Sequence, residues 1–404
     1  MRFINRNPLV INIPMKKKWI LDISTIPMIW IVLAVCSCSK KNDPVTPPKV
    51  PDTTVKSVTY NYSSLADSLQ STTYATFISA NGNYYIQNNA GNTNFNYWPN
   101  AHMLDVLTDA YLRTQSTVYT QRMKTLLNGI KTTNGGGYPN EFYDDMGWLA
   151  NASLRDYNIT HDADYLNVAQ QLYTEIKGGS NTIAGGGIAW QRSQLYYKNI
   201  PSTGNATILA ARFYELQNKP EDLALAKSLY NWMKANLVNP TSGLVLDGIN
   251  RNQDGQVDNW IFTYNQGLFI GSAVELYTIT KDPMYLQDAI RTANNEIADP
   301  NLTVNGILKN EGQGDGGLFK GVVVRYMTLL VELSDLDATN KAKYANFLQK
   351  NAESLSGKGI GRPAMMISPD WTKLPTGSTD LSTQLSGVML IEAAAKLKAE
   401  GKIQ

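Results

Sequence analysis

Two consecutive aspartates, Asp144 and Asp145, stand in the stretch EFYDDMGWLANAS, which begins at Glu141 and runs into an apolar helical pattern. Like charges so close repel, so either solvent screens them or a reaction uses them. In the first turn of a helix, adjacent side chains project about 100° apart. Two carboxyl groups can then flank a groove at about 5–6 Å, where one attacks a sugar carbon while the other protonates the departing oxygen. Their repulsion raises one pKa and keeps that group protonated near neutrality. The positive end of the helix holds the other ionised. Ordinary capping is the competing account, since Asp favours helix starts, although one Asp suffices for a cap.

Other chemistries lack their residues. There is no G-x-S-x-G elbow and no phosphate-binding loop ending in Lys-Ser/Thr. The two histidines, His102 and His161, are not at metal-ligand spacing, and His161 in NITHDADYL reads as a turn residue. The stretch NRNQDGQVD sets Asn250, Asn252 and Asp254 at alternate positions before Gly255, as half of a calcium loop would. Its twelfth position is Ile261 rather than Glu, so it reads as a polar loop and no metal is expected. A net charge of +2 over 404 residues, with no basic block, argues against nucleic acid as a partner. The 22 tyrosines and eight tryptophans can pack a core or stack on the C–H faces of sugars.

The elements that must position these groups are helices, and they repeat. Six apolar stretches, each preceded by a polar or glycine-rich turn, recur about 45–65 residues apart. They are YWPNAHMLDVLTDAYLRT, YDDMGWLANASLRDYN, TGNATILAARFYELQ, YNQGLFIGSAVELYTIT, LFKGVVVRYMTLLVEL and TQLSGVMLIEAAAKLKA. Apolar residues lie on nearly all their sides, as in helices buried on both faces. Several are followed by a more amphipathic helix, such as DADYLNVAQQLYTEI or DPMYLQDAIRTANNEI, opened by Asp or Pro. Six such pairs predict an all-α fold, an (α/α)6 barrel with an inner ring inside an outer one. An open solenoid of even, 34-residue repeats is the alternative, and these repeats are longer and uneven. The long loops GGSNTIAGGGIAWQRSQLYYKNIPSTGNA and NGILKNEGQGDGGLFKG lead into inner helices and are expected around one mouth of the barrel.

Both cysteines, Cys36 and Cys38, precede this part, so it has no disulfide or cysteine metal site. Upstream, Lys16–Lys18 and the apolar run Ile20–Val35 read as a secretory signal rather than a membrane span, given its shortness and Asp22. VCSC resembles a lipobox, with Ser37 before a lipidated Cys38. The expected organisation is a signal peptide with lipobox over 1–37, a proline-rich tether over 38–57 and a catalytic domain over 58–404. That places the protein in the cell envelope, lipid-anchored at the outer membrane, the surface or the periplasmic face.

EFYDDMGWLANA, followed by GGIAW, YKN, TGNA, VLDGI, FTYNQG and GGLFKGVVVRY, resembles glycoside hydrolase family 76. Its members are bacterial endo-α-1,6-mannanases and related fungal cell-wall mannan-processing proteins. The likeness spans essentially the whole folded domain, and it implies an (α/α)6 barrel and a retaining endo-acting enzyme that cuts α-1,6-mannosidic linkages. It makes Asp144 the nucleophile and Asp145 the acid and then base. It also implies substrate contacts from Trp98, Trp148 and Trp190 as stacking walls, with a place in the core as their other reading, from Tyr143, and from Asp247, Tyr264, Asn265 and Gln266 at inner-helix starts. Lys198, Asn199, Lys320 and Arg325 are further polar candidates, with a structural ion pair as the other reading of Arg325. No cofactor is required, and the expected partner is α-mannan bound by a monomer. The alternatives are an inverting glycosidase using Asp247 or Asp315, a lyase on the same barrel, a transglycosylase, and a non-catalytic glycan-binding lipoprotein.

Overall fold

The computed structural model describes residues 60–404. The signal, the lipobox with Cys38 and the tether fall outside the described residues. Helices alternate between an outer and an inner layer in chain order: α1 (Tyr62–Phe77), α2 (Tyr97–Thr114), α3 (Thr117–Thr133), α4 (Tyr143–Thr160), α5 (Ala163–Lys177) and α6 (Ile200–Gln217). They continue with α7 (Pro220–Asn236), α8 (Thr263–Thr280), α9 (Pro283–Ala298), α10 (Gly316–Glu332), α11 (Ala338–Ser354) and α12 (Leu381–Ala399). Each even-numbered helix packs on the next even one, and α12 returns to α2, so the inner ring closes. The (α/α)6 expectation holds and the open solenoid does not.

The sixth pair joins the two ends of the domain, because the outer partner of α12 is α1. Polar side chains bolt this seam: Gln70 donates to Glu392 at 2.9 Å, and Arg113 pairs with Glu392 at 2.6 Å and Asp67 at 2.7 Å. The outer helices start as their sequences predict, with Asp162, Asp282 and Asp337 accepting N–H groups of α5, α9 and α11.

Four inner helices also end alike. Gln115, His161, Asn218 and Lys281 adopt left-handed φ of 54–57°, and each donates its N–H to the carbonyl of a tyrosine four residues back. His161 is thus a helix terminator, as its sequence context suggests. The common 18-residue length of these helices aligns their other ends at one mouth.

Inner helices approach each other closely through glycine. A Cβ on Gly267 of α8 would lie 2.7 Å from the Val323 Cα of α10. Gly267→Ala gains about 1 kcal/mol of helix propensity, but a clash with backbone cannot be relieved by a rotamer. Overpacking of this kind costs about 1–3 kcal/mol, so we expect net destabilisation, read as a lowered thermal midpoint by circular dichroism.

Ion pairs fill the ring interior beneath the mouth. Arg155 of α4 pairs with Asp105 and Asp109 of α2, Arg325 of α10 with Asp105 at 2.7 Å, and Arg212 of α6 with Glu275 of α8 at 2.8 Å. Burial acts to raise the Asp105 carboxyl, yet Arg325 and Arg155 together hold it well below the usual carboxylate range. The barrel is therefore a cup with a charged, paired floor.

At the mouth, loops add what the all-α reading did not include: two-residue strands. β1 (Lys198–Asn199), β2 (Gly248–Ile249) and β3 (Val257–Asp258) form an antiparallel sheet in that order. β4 (Thr303–Val304) pairs with β5 (Ile307–Leu308), and β6 (Ile360–Gly361) with β7 (Met366–Ile367). Among the described residues no helix is long and apolar enough to cross a membrane.

Candidate active site

The N-terminal ends of α2, α4, α6, α8 and α10 converge on a cavity of about 450 Å³. Asp144 and Asp145 enter it from the first turn of α4, whose cap position is Phe142 and carries no side-chain cap bond. The Asp144 Oδ1 accepts the N–H of Asp145 at 3.0 Å, so the helix start favours its ionised form. Both carboxyls open partly to the cleft.

Burial pushes the Asp144 carboxyl up to about 7, with Asp247 and Asp315 adding to the rise and the helix N–H groups opposing it. Burial raises the Asp145 carboxyl as well, and the neighbouring Asp144 and then Asp315 add to it. Two such groups cannot both ionise cheaply, so a singly protonated pair is favoured, and the N–H accepted by Asp144 favours the charge on that side.

An aromatic layer lies between the cavity and the charged floor of the barrel. Trp98 and Trp148 lie 6.4 Å apart, both against the His102 ring, at 5.5 and 4.6 Å. Burial, then Arg325, drives the His102 pKa well down, leaving a neutral ring whose Nδ1 accepts from Arg325 at 3.1 Å. Trp98 also donates its indole N–H to Asp315 at 2.9 Å. Trp190 stands against Phe142 at 5.3 Å on one side, and Tyr264 stacks on Phe319 at 3.9 Å on the other.

Asp247 anchors that second wall. Its Oδ1 accepts from the Tyr264 hydroxyl at 2.9 Å and Asn265 Nδ2 at 3.1 Å, and its Oδ2 from the Tyr197 hydroxyl at 3.0 Å. Arg251 adds a longer contact at 3.5 Å. Burial raises the Asp247 carboxyl, while Asn265, Tyr264, Tyr197 and Arg251 oppose that rise. With both oxygens engaged, Asp247 positions the wall and is poorly free to act as a second acid or base.

The structure brings together Trp98, Asp144, Asp145, Trp148, Trp190, Asn199, Asp247 and Tyr264 around the cavity. Six other sequence candidates do not line it, and each has a structural occupation instead. Tyr143 is buried against Gly179, where an added Cβ would meet its ring at 3.0 Å. Lys198 staples the glycine-rich loop, donating Nζ to the carbonyls of Gly179 at 3.0 Å and Gly187 at 3.4 Å, and burial lowers its pKa to about 8. Asn265 faces Asp247. Gln266 clamps the backbone of Val245, donating to its carbonyl at 2.7 Å and accepting its N–H at 3.0 Å.

Lys320 is buried, donates to the Pro369 carbonyl and lies 4.3 Å from the Trp371 ring centre. Arg325 belongs to the floor network, the ion-pair reading of that residue. These corrections share one cause: polar side chains near a helix start also have loop backbone to satisfy, and burial forces them to do so.

The calcium-like loop is likewise held by its own bonds. Asn250 Oδ1 accepts the Gly255 N–H at 2.9 Å, its Nδ2 donates to the Tyr196 carbonyl at 2.9 Å, and Arg251 pairs with Asp258 at 2.8 Å. Sequence reasoning passed over Arg251, Trp260, Tyr197, Phe262, Phe319 and Asn96, all of which line the cavity. A usable signal existed for two of them: Asn96 and Phe262 hold the cap positions of α2 and α8, equivalent to Phe142 on α4.

Among the described residues, Arg251 is the only basic side chain on a cavity wall that carries four carboxyls. Such a site stabilises positive charge developing on a neutral ligand. A closed double ring of helices with paired acids and aromatic walls at one mouth defines an (α/α)6 barrel with a saccharide-type cleft. Residues 64–402 match the family model for glycosyl hydrolase family 76, and the chain belongs to that family.

It is 47% identical to the GH76A α-1,6-mannanase from Salegentibacter sp. HEL1_6, with a TM-score of 0.81, over 83% of this chain and 100% of that one. The same figures apply to an inactive variant of that enzyme, with two consecutive aspartates replaced by asparagine, solved with α-1,6-mannotriose. Among curated relatives, the mannan endo-1,6-alpha-mannosidase DCW1 of Eremothecium gossypii is 27% identical over 208 residues, 48% of this chain and 44% of that protein. The chain thus spans under half the length of that relative.

Proposed function

We propose that this protein is a retaining, endo-acting glycoside hydrolase that cleaves α-1,6-mannosidic linkages in mannan. The observation that carries the reading is the Asp144–Asp145 pair in the first turn of α4, both carboxyls opening into an aromatic-walled cleft. The inactivation of a 47% identical mannanase at two consecutive aspartates, and its complex with α-1,6-mannotriose, support it.

In the first step an Asp144 carboxylate oxygen bonds to the anomeric carbon as the Asp145 proton passes to the departing glycosidic oxygen. A mannosyl–Asp144 ester results, and Asp145 is left ionised. Asp145 then takes a proton from water, whose oxygen attacks the same carbon and releases Asp144. The negative cleft stabilises the oxocarbenium-like transition state of both steps. The order of the roles, Asp144 first, is the one the family resemblance implies, and the Asp145 N–H that Asp144 accepts is in keeping with charge on Asp144. An inverting route through Asp247 is disfavoured by that residue's filled hydrogen bonds.

The test is incubation with unbranched α-1,6-mannan and with branched yeast mannan. Internal cleavage yields mixed oligosaccharides, and proton NMR should show α as the first-formed anomer. A β first product, or binding without cleavage, sinks the reading. A pH profile adds a second check. Asp144 must be ionised, so kcat/KM should fall about ten-fold per unit as pH drops below about 7. Asp145 must be protonated, so activity falls again on the alkaline side, where that group loses its proton. A plateau extending down to pH 5 would contradict this assignment.

We also propose envelope anchoring through a lipid on Cys38, supported by the VCSC lipobox. Mass spectrometry of the N-terminal peptide reads it directly.

A further inference from the structure

Trp260 is 49% exposed, yet it lines the cavity that holds the paired aspartates. Large exposed hydrophobics elsewhere, such as Leu374 and Val304, do not line it. A lone half-exposed ring on a polar loop would ordinarily swing among rotamers, but this one is fixed. The Arg251 guanidinium stands 4.4 Å from the Trp260 ring centre and 4.1 Å from that of Tyr197, as the middle layer between two rings. Arg251 is itself tied to Asp258 at 2.8 Å and to the Tyr197 hydroxyl. The Trp260 carbonyl accepts the N–H of Asp247 at 3.1 Å, so the ring and the buried wall of the site share one backbone connection.

We infer that Trp260, backed by Arg251, is a preformed platform at the cleft rim that stacks on the C–H face of a mannosyl unit lying beyond those inside the cavity. This rests on the mannanase reading and gives it a chain-length preference. Arg251 packs on the ring and Phe262 stands edge-on to it at 6.3 Å, and the half of the ring that stays exposed is left for a ligand. That ligand is neutral and carbohydrate-like, because Arg251 has its carboxylate partners already and the net negative charge of the carboxyl-lined cleft disfavours anions. Surrounding residues Asn252, Gln253, Asp254 and Gln256 are exposed and polar, so no contiguous apolar patch awaits a protein or lipid surface. A ring held in place stacks without losing rotamer freedom on binding, which is the benefit of the Arg251 layer.

The experiment is calorimetric titration of the full chain carrying Asp144→Asn and Asp145→Asn with α-1,6-mannotriose and α-1,6-mannohexaose. Adding Trp260→Ala should weaken mannohexaose binding about ten-fold and mannotriose binding less than about two-fold. Trp260→Tyr should restore most of the loss, since a flat ring remains over Arg251. Equal losses for both saccharides would show that the ring acts inside the cavity or only as structure. No loss for mannohexaose also overturns the platform. Should the double variant with Trp260 intact bind neither saccharide, the mannan reading itself fails, and the platform with it.

Discussion

Asp144→Asn and Asp145→Asn are each expected to lower kcat on α-1,6-mannan by at least about 10³-fold, because each removes a group that forms or breaks a bond in the transition state. Asparagine keeps the shape and suits the first turn of α4, so helical content should be unchanged. The two variants should part company on an aryl mannoside with a good leaving group. Departure of such a group needs no proton, so Asp145→Asn keeps the glycosylation step and accumulates the mannosyl–enzyme, seen as a burst of leaving group and a mass increase. Asp144→Asn has no nucleophile and gives neither. A burst from Asp144→Asn instead would reverse the two roles, and near wild-type hydrolysis of mannan by either variant would remove the pair from the mechanism.

Asp247→Ala is expected to have the next largest effect, chiefly on stability. It deprives the Tyr197 and Tyr264 hydroxyls and the Asn265 amide of their acceptor and leaves Arg251 with only Asp258 as a carboxylate partner. Each buried donor left without an acceptor costs about 1–3 kcal/mol, so orphaning three of them outweighs the loss of a single neutral hydrogen bond at about 1 kcal/mol. The thermal midpoint should fall by several degrees, and kcat/KM on mannan should fall with it as the Tyr264 wall loosens. Asp247→Asn keeps one oxygen acceptor for Tyr264 and Asn265, so its loss of stability should be smaller. An Asp247→Ala protein with an unchanged midpoint and unchanged kcat/KM would show that the network is ornamental.

Much of the molecule was legible in the residues. The inner helices declare themselves because a helix buried on both faces is apolar on all sides, as in YNQGLFIGSAVELYTIT. The outer ones declare themselves through Asp caps and three- and four-residue spacing. The Asp144–Asp145 pair stood out because like charges at an apolar helix start need a reason.

Lys198, Gln266 and Lys320 misled because a polar residue beside an inner-helix start looks the same in sequence whether it faces the cleft or a loop carbonyl. Trp260 was passed over for the converse reason. Its neighbours NWIF carry no periodic signal, and its value depends on Arg251, nine residues earlier, folding back over the ring.

The alternation of buried and amphipathic helices, the location of the paired acids and the Gly-rich loops before inner helices were determined by the sequence itself. These follow from local rules of burial, capping and turn conformation that act over a few residues. Closure of the ring through α1 and α12, the hydrogen-bond network around Asp247, and the turning of six candidate side chains to other partners were decided only by the tertiary structure. They depend on low-dielectric burial and on backbone partners distant in the chain, and neither is written in the order of the residues alone.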